Sequence, residues 1–240
     1  MITQEQIKIL SLKYQTIELN IIREYFQHLF LSYFYQQPQA ERVCFKGGTA
    51  LRVIHNSPRF SQDLDFGAKK MSINNLEQML LQALDEIERE NINVSIQEAK
   101  TTSGGYLANV VFEAQGFQPV VVQLEISLRY AQLNSEVITI SSDFVPPYTI
   151  FALSLEQLVD EKIQALLYRK KPRDFYDLYF ILRSNLLPAS KKGVLPKALK
   201  TLMGTKINFE KELKQFLPKT HWPIIRSFKL TLEREIERFI

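Results

Sequence analysis

Phe45-Lys46-Gly47-Gly48-Thr49-Ala50-Leu51-Arg52, followed by Arg59-Phe60-Ser61-Gln62-Asp63-Leu64-Asp65-Phe66, is the stretch that decides the fold. It opens with a short apolar strand at 42–45. Gly47 and Gly48 break that strand, and Thr49 to Ile54 reads as a helix. A second short strand follows at 63–67. A glycine turn before a helix lets backbone N–H groups approach an anion at the helix N-terminus. It lacks the Gly-Lys-Ser/Thr ending of a P-loop and the third glycine of a dinucleotide fingerprint. On the second strand, alternation sends Asp63 and Asp65 to one face and Leu64 and Phe66 to the core. Gly48 stands 15 residues ahead of Asp63, with one helix between. Arg59 and Ser61, in that interval, are placed to touch phosphate or to brace the carboxylates. The plain alternatives are a surface ion pair for Arg59 and a simple turn for the glycines.

Two carboxylates on one strand face repel each other unless a cation lies between them or water solvates each. Hard divalent cations such as Mg²⁺ take oxygen ligands of this kind. Asp-x-Asp alone also occurs in glycosyltransferases, phosphatases and plain surface strands. Residues 119–129 narrow the choice. Val120, Val122, Leu124, Ile126 and Leu128 fall on one face, and Val121, Gln123, Glu125, Ser127 and Arg129 on the other. If this strand lies beside the Asp-x-Asp strand, Glu125 joins Asp63 and Asp65. Three carboxylates can hold two Mg²⁺ ions about 3.5–4 Å apart, which suits in-line phosphoryl transfer. Otherwise 119–129 is a half-exposed strand with an ordinary polar face.

Around these strands the chain reads as α+β. A long helix is expected at 17–37 and an amphipathic helix at 72–90, with Ser72 as its N-cap. Strands are expected near 92–98 and 106–113. From Leu155 onward every segment reads as helix: 155–169, 173–184, 194–203, 208–217 and 224–239. Pro146-Pro147 mark the best break. They divide the chain into an α/β domain at 1–147 and a helical domain at 148–240.

Composition removes other classes. Of 240 residues, 45% are apolar and 23% charged, with 16 Phe and 10 Tyr, so wholesale disorder is excluded. The one cysteine, Cys44, excludes an internal disulfide framework and a multi-cysteine zinc site. It lies in an apolar run and reads as a buried, inert thiol. The N-terminus lacks a signal-peptide pattern, and no uncharged apolar stretch reaches about 18 residues. A cytoplasmic protein without a membrane partner is expected. Residues 185–240 hold 12 Lys/Arg against 5 Glu, while the rest of the chain is net −3. A basic segment after an acidic body suits an anionic partner such as nucleic acid, or is a solvated helical face.

In the helix 155–169, Lys162 falls inside the stripe of Leu155, Leu158, Val159, Ile163 and Leu166. The next helix opens with Pro172, and its Asp174 shares a face with Leu178 and Ile181. An inward lysine and an inward aspartate form a structural ion pair or face a ligand cleft. His28, His55 and His221 have no ligand-like spacing, and Trp222 reads as a packing anchor.

The joint pattern of Lys46 to Arg52 and Arg59 to Phe66, with Asp160-Glu161-Lys162-Ile163-Gln164-Ala165-Leu166 and Arg173-Asp174-Phe175-Tyr176-Asp177-Leu178, resembles the AbiEii/AbiGii-type nucleotidyltransferase toxins of the polymerase-β-like superfamily. The resemblance covers about residues 40–185. It implies a metal-dependent transfer of NMP from an NTP, with Mg²⁺ or Mn²⁺ on Asp63, Asp65 and Glu125. Lys46, Gly47, Gly48, Thr49, Arg59, Ser61 and Lys162 would serve the phosphates. It places Lys162 on nucleotide phosphate, makes Asp174 necessary for activity and leaves Asp177 to brace the helix start. It further implies a toxin–antitoxin or abortive-infection (phage-defence) role, a cognate antitoxin, and an RNA acceptor such as tRNA. Two other readings stay open: a catalytically silent RNA- or protein-binding module, and a transferase acting on a small molecule or protein.

Overall fold

The computed structural model describes residues 1–130 and 132–240. The chain runs α1 (Gln4–Lys13), α2 (Glu18–Phe34), β1 (Val43–Lys46), α3 (Gly47–His55), β2 (Leu64–Ala68), α4 (Ile73–Glu88), β3 (Asn93–Thr102), β4 (Gly105–Glu113), β5 (Val120–Ser127), β6 (Ser135–Ile140) and β7 (Tyr148–Leu153). Helices follow: α5 (Leu155–Arg169), α6 (Pro172–Arg183), α7 (Leu195–Met203), α8 (Phe209–Leu213), α9 (Trp222–Arg226) and α10 (Phe228–Glu237). Two compact units result. The first holds Met1–Asn56 and Phe60–Leu153, and the second holds Ser57–Arg59 and Ser154–Ile240.

The first unit is a seven-stranded mixed sheet in the order β3-β4-β5-β2-β1-β7-β6. Strands β2 and β5 are parallel, as are β1 and β7; the other neighbours are antiparallel. The alternation seen in 119–129 is real. Val120, Val122, Leu124 and Ile126 are buried, while Val121 and Glu125 are exposed. Beneath the buried face lies an aromatic layer from α2, with Phe26 stacked on Phe112 at 5.0 Å and Phe34 against Phe66 at 5.4 Å. The Tyr35 hydroxyl donates to the carbonyls of Val43 and Phe151, tying the end of α2 to β1 and β7. Cys44 is buried, and burial pushes its thiol up to about 11, as an inert packing thiol requires.

Ser72 caps α4 by accepting from the Asn75 amide. Three elements escape the sequence reading, which leaves 1–16 and 130–154 without structure. Helix α1 is closed by a capping box, in which the Thr3 hydroxyl accepts from the Gln6 amide and the Gln6 side chain accepts from the Thr3 amide. Strands β6 and β7 flank and follow the proline pair, so the sheet continues past Pro147 and the first unit runs to Leu153.

His28 is enclosed in this unit, with Nδ1 2.7 Å from the Tyr148 hydroxyl and its ring stacked on Phe144. Burial pushes its pKa down to about 3, and the Arg52 charge adds to the shift. The unfolded imidazole titrates near 6.5. The fold therefore favours the neutral ring. Its full contribution is present above pH ~6.5 and is lost as pH falls toward 3. Urea denaturation should show stability dropping by about 2–3 kcal/mol between pH 7 and 4.5. His28→Gln should flatten that slope, and an unchanged slope in the variant refutes the assignment.

In the second unit α6 is buried on nearly every side, from Pro172 and Asp174 through Leu182. A helix enclosed on nearly every side lies at the centre of its unit. Phe175, Tyr176, Phe209 and Phe228 form its aromatic core, with Phe209 and Phe228 centred 4.9 Å apart. The Tyr176 hydroxyl meets His221 Nδ1 at 3.1 Å, so that histidine is satisfied. Two expected helices are interrupted. Segment 208–217 turns 3₁₀ after Leu213, and 224–239 breaks at Ser227 between α9 and α10. No helix among the described residues is long and apolar enough to cross a membrane.

Candidate active site

The carboxylates are placed by strand register. In β1 and β2, Lys46 pairs with Asp65; in β2 and β5, Asp65 pairs with Glu125. Directly opposed residues share a face of the sheet. Their neighbours Leu64, Phe66, Leu124 and Ile126 fill the buried face. Lys46, Asp65 and Glu125 thus form one row across three adjacent strands on the face opposite the core. Like charges set opposite each other on neighbouring strands destabilise a sheet, and a bound cation removes that repulsion.

Asp63 sits one residue ahead of β2, not within the strand expected at 63–67. Its position is held from the backbone. The buried Thr49 hydroxyl donates to the Asp63 carbonyl oxygen. Gln27 Nε2 donates to the carbonyls of Ser61 and Gln62, both at 3.1 Å. Sequence reasoning misses Gln27, because a lone glutamine on a buried helix carries no motif. The Thr49 hydroxyl therefore holds the Asp63 loop.

Gly47 makes the turn with φ +82°, a left-handed backbone that side chains rarely adopt. A Cβ built there would lie 2.0 Å from Asp65 Oδ2. The carboxylate rests against the bare glycine at the entrance of α3, and Lys46 lies over the Tyr130 ring at 5.5 Å. Gly48 is buried in the first turn of α3. Gly47→Ala should combine about 1–3 kcal/mol of backbone strain with displacement of Asp65. We expect a lowered melting temperature together with lost transfer activity. A variant with wild-type values for both would refute the packing.

Among the described residues, no three His, Cys, Asp or Glu side chains are gathered tightly enough to hold a metal ion. Carboxylate oxygens are the donors that a hard divalent cation takes. Asp65 and Glu125 supply carboxylate oxygens side by side, and Asp63 stands at the mouth of the same strand.

In the second unit, the cations converge on Asp177. Arg59 Nε and a terminal nitrogen donate to the two Asp177 oxygens at 2.8 and 3.0 Å, and Lys162 Nζ donates at 2.8 Å. All three are buried. Burial pushes the Asp177 carboxyl up, but Arg59 and Lys162 outweigh it and hold it below its ordinary value. Burial likewise opposes the Arg59 charge, and Asp177 overrides it, leaving the guanidinium above its ordinary value. Arg59 is thus a buried ion-pair partner of Asp177 and not a surface pair.

Asp174 and Asp177 exchange their expected local parts. Asp174 accepts from the Lys171 amide at 3.1 Å and from Arg169 at 2.5 Å, so it is Asp174 that braces the start of α6. Asp177 takes the inward ion pair with Lys162. Both aspartates face inward because α6 is buried all round.

The chain's architecture is similar to solved structures at low identity. MenT4, the nucleotidyltransferase toxin Rv2826c from Mycobacterium tuberculosis H37Rv, is 15% identical, with a TM-score of 0.72 over 100% of this chain and 90% of its own. JHP933 from Helicobacter pylori is 21% identical, with a TM-score of 0.66 over 93% of each chain. These likenesses give the class of fold, that of the nucleotidyltransferases. No curated protein matches the chain. The model of the family described as nucleotidyl transferase AbiEii toxin, type IV TA system, matches residues 29–234. The chain belongs to that family.

Proposed function

We propose that this toxin-family nucleotidyltransferase transfers a nucleoside monophosphate from an NTP to an RNA acceptor, tRNA first among candidates, and releases pyrophosphate. The observation that carries the reading is the register that sets Glu125 beside Asp65, with the Gly47 turn against the same carboxylate. When bound, Mg²⁺ or Mn²⁺ on Asp63, Asp65 and Glu125 would neutralise triphosphate charge and help ionise the acceptor hydroxyl. The chain itself supplies positioning and fixed charge. The amides at the start of α3, freed by Gly47 and Gly48, face phosphate oxygen in this scheme. Lys46, at the end of the carboxylate row, offsets its negative charge.

Lys162 would act as a phosphate-neutralising cation, its amine docked on Asp177 in the resting chain. Asp174 serves by fixing the helix start from which Asp177 projects. Ser61 contributes through its Gln27-held backbone. The basic segment 185–240 would meet the RNA backbone, and such binding weakens steeply as salt rises. The biology proposed is growth arrest in phage defence, held in check by a cognate antitoxin in the cytoplasm. The test is incubation of the chain with each α-labelled NTP, Mg²⁺ or Mn²⁺, and total RNA. Label in a discrete RNA band supports the reading and names the base. Label only in protein or a small molecule moves the acceptor to that class, and label nowhere under any acceptor refutes transfer.

A further inference from the structure

We infer that Arg23 of α2 is a phosphate-contacting residue of the nucleotide site, an inference that rests on the nucleotide-binding reading above. On a helix, residues four apart share a face. Gln27, one turn beyond Arg23, is the residue whose amide pins the carbonyls of Ser61 and Gln62. That face of α2 therefore lies against the loop that delivers Asp63. Arg23 stands on it close enough to Asp63 for the two charges to interact.

Its Nε–H is buried and has no hydrogen-bond partner. A buried donor left unpaired is destabilising unless a ligand completes it. The comparison within the same unit is direct. Arg52, in α3, places Nε and a terminal nitrogen on both oxygens of Glu24, at 2.6 and 2.9 Å, and its guanidinium lies over Phe60. The Arg52 Nε–H is matched to a carboxylate oxygen and the Arg23 Nε–H is not. Were Arg23 only the structural counter-ion of Asp63, its Nε–H would be expected on that carboxylate. Burial also lowers the Arg23 pKa, with Asp63 opposing the shift, as befits a cation drawn partly out of water near an anionic group. A planar guanidinium whose Nε–H is unpartnered has a donor to give to phosphate oxygen. An incoming triphosphate supplies the acceptor that the resting chain lacks.

The test measures equilibrium binding of inorganic tripolyphosphate, without metal and at low salt, to the full chain and to Arg23→Ala and Arg23→Lys. Tripolyphosphate carries the phosphates without a base, so the unknown base choice does not enter. We expect Arg23→Ala to weaken binding about 10- to 100-fold, the loss of a charge-assisted contact. Arg23→Lys should recover part of it, with melting temperatures of both variants near wild type. Binding by Arg23→Ala equal to wild type overturns the inference. So does a loss of binding matched by an equal loss of thermal stability in both variants, which makes Arg23 a scaffold residue. Wild-type chain that binds no tripolyphosphate also overturns it. Binding that depends on Arg23 in a chain that labels no acceptor sinks the transfer reading and leaves this one standing. Intact transfer with binding indifferent to Arg23 does the reverse.

Discussion

Asp63→Ala/Asp65→Ala is expected to lower nucleotidyl transfer by at least about a thousandfold while leaving the sheet folded. Removing both carboxylates removes the oxygen donors proposed for the cation and the charge that accompanies it. Electrostatic contributions of that kind are worth several kcal/mol, and about 4 kcal/mol corresponds to three decades of rate. Stability should move little, because Asp65 is only half-buried and faces Glu125 across the strand pair. Losing one member of a like-charged pair relieves repulsion. The measurement is label transfer alongside thermal unfolding. Full activity in the double variant ends the proposed function. Lost activity in a chain that has also melted would instead assign the two aspartates to folding.

Asp177→Ala should be the most destabilising single change in the helical unit. It strands Arg59 and Lys162 together without a counter-charge in a buried site. Breaking a buried pair from one side costs about 3–5 kcal/mol. Total stabilities run only to about 5–15 kcal/mol. Asp174→Ala, which loses a helix-start brace beside a half-exposed Arg169, should cost about 1 kcal/mol. Because the native Asp177 carboxyl is held below its ordinary value, its contribution is complete above about pH 4. It fades only as pH falls through the depressed value. Urea titration of both variants at neutral pH decides the ranking, and equal losses would contradict the ion-pair geometry. Replacing Arg59, Lys162 and Asp177 together by leucine should restore much of the stability lost in Asp177→Ala, since an apolar set often substitutes for a buried triad.

Local periodicity made much of this legible. The two-residue alternation of 120–126 reports burial directly, and the Asp-x-Asp strand needs only the correct neighbour to bring Glu125 beside it. The glycine turn is legible too, because few residues other than glycine hold the backbone of Gly47. What is not legible is whatever depends on distant partners. Arg59 and Asp177 are separated by 118 residues and nothing local announces their pairing. Face arithmetic cannot separate Asp174 from Asp177, since a helix buried on all sides has no outward face to contrast. Strand β7 was hidden by the proline pair that precedes it, and α1 by a weak apolar pattern, although Thr3 and Gln6 carry a capping signature. Arg23 and Gln27 lie among other polar residues on a largely buried, aromatic-rich helix, where each looks incidental until the loop it faces is known.

The three residues Ser57–Arg59 leave the chain's two units interleaved in sequence. The helical unit is not a module that recombination could lift out by cutting after Leu153. A fragment starting at Ser154 would carry Asp177 and Lys162 but leave Arg59 behind on the other piece. Gene fusion, domain shuffling or a split-protein reporter built on that cut would inherit a core missing one of its three charges.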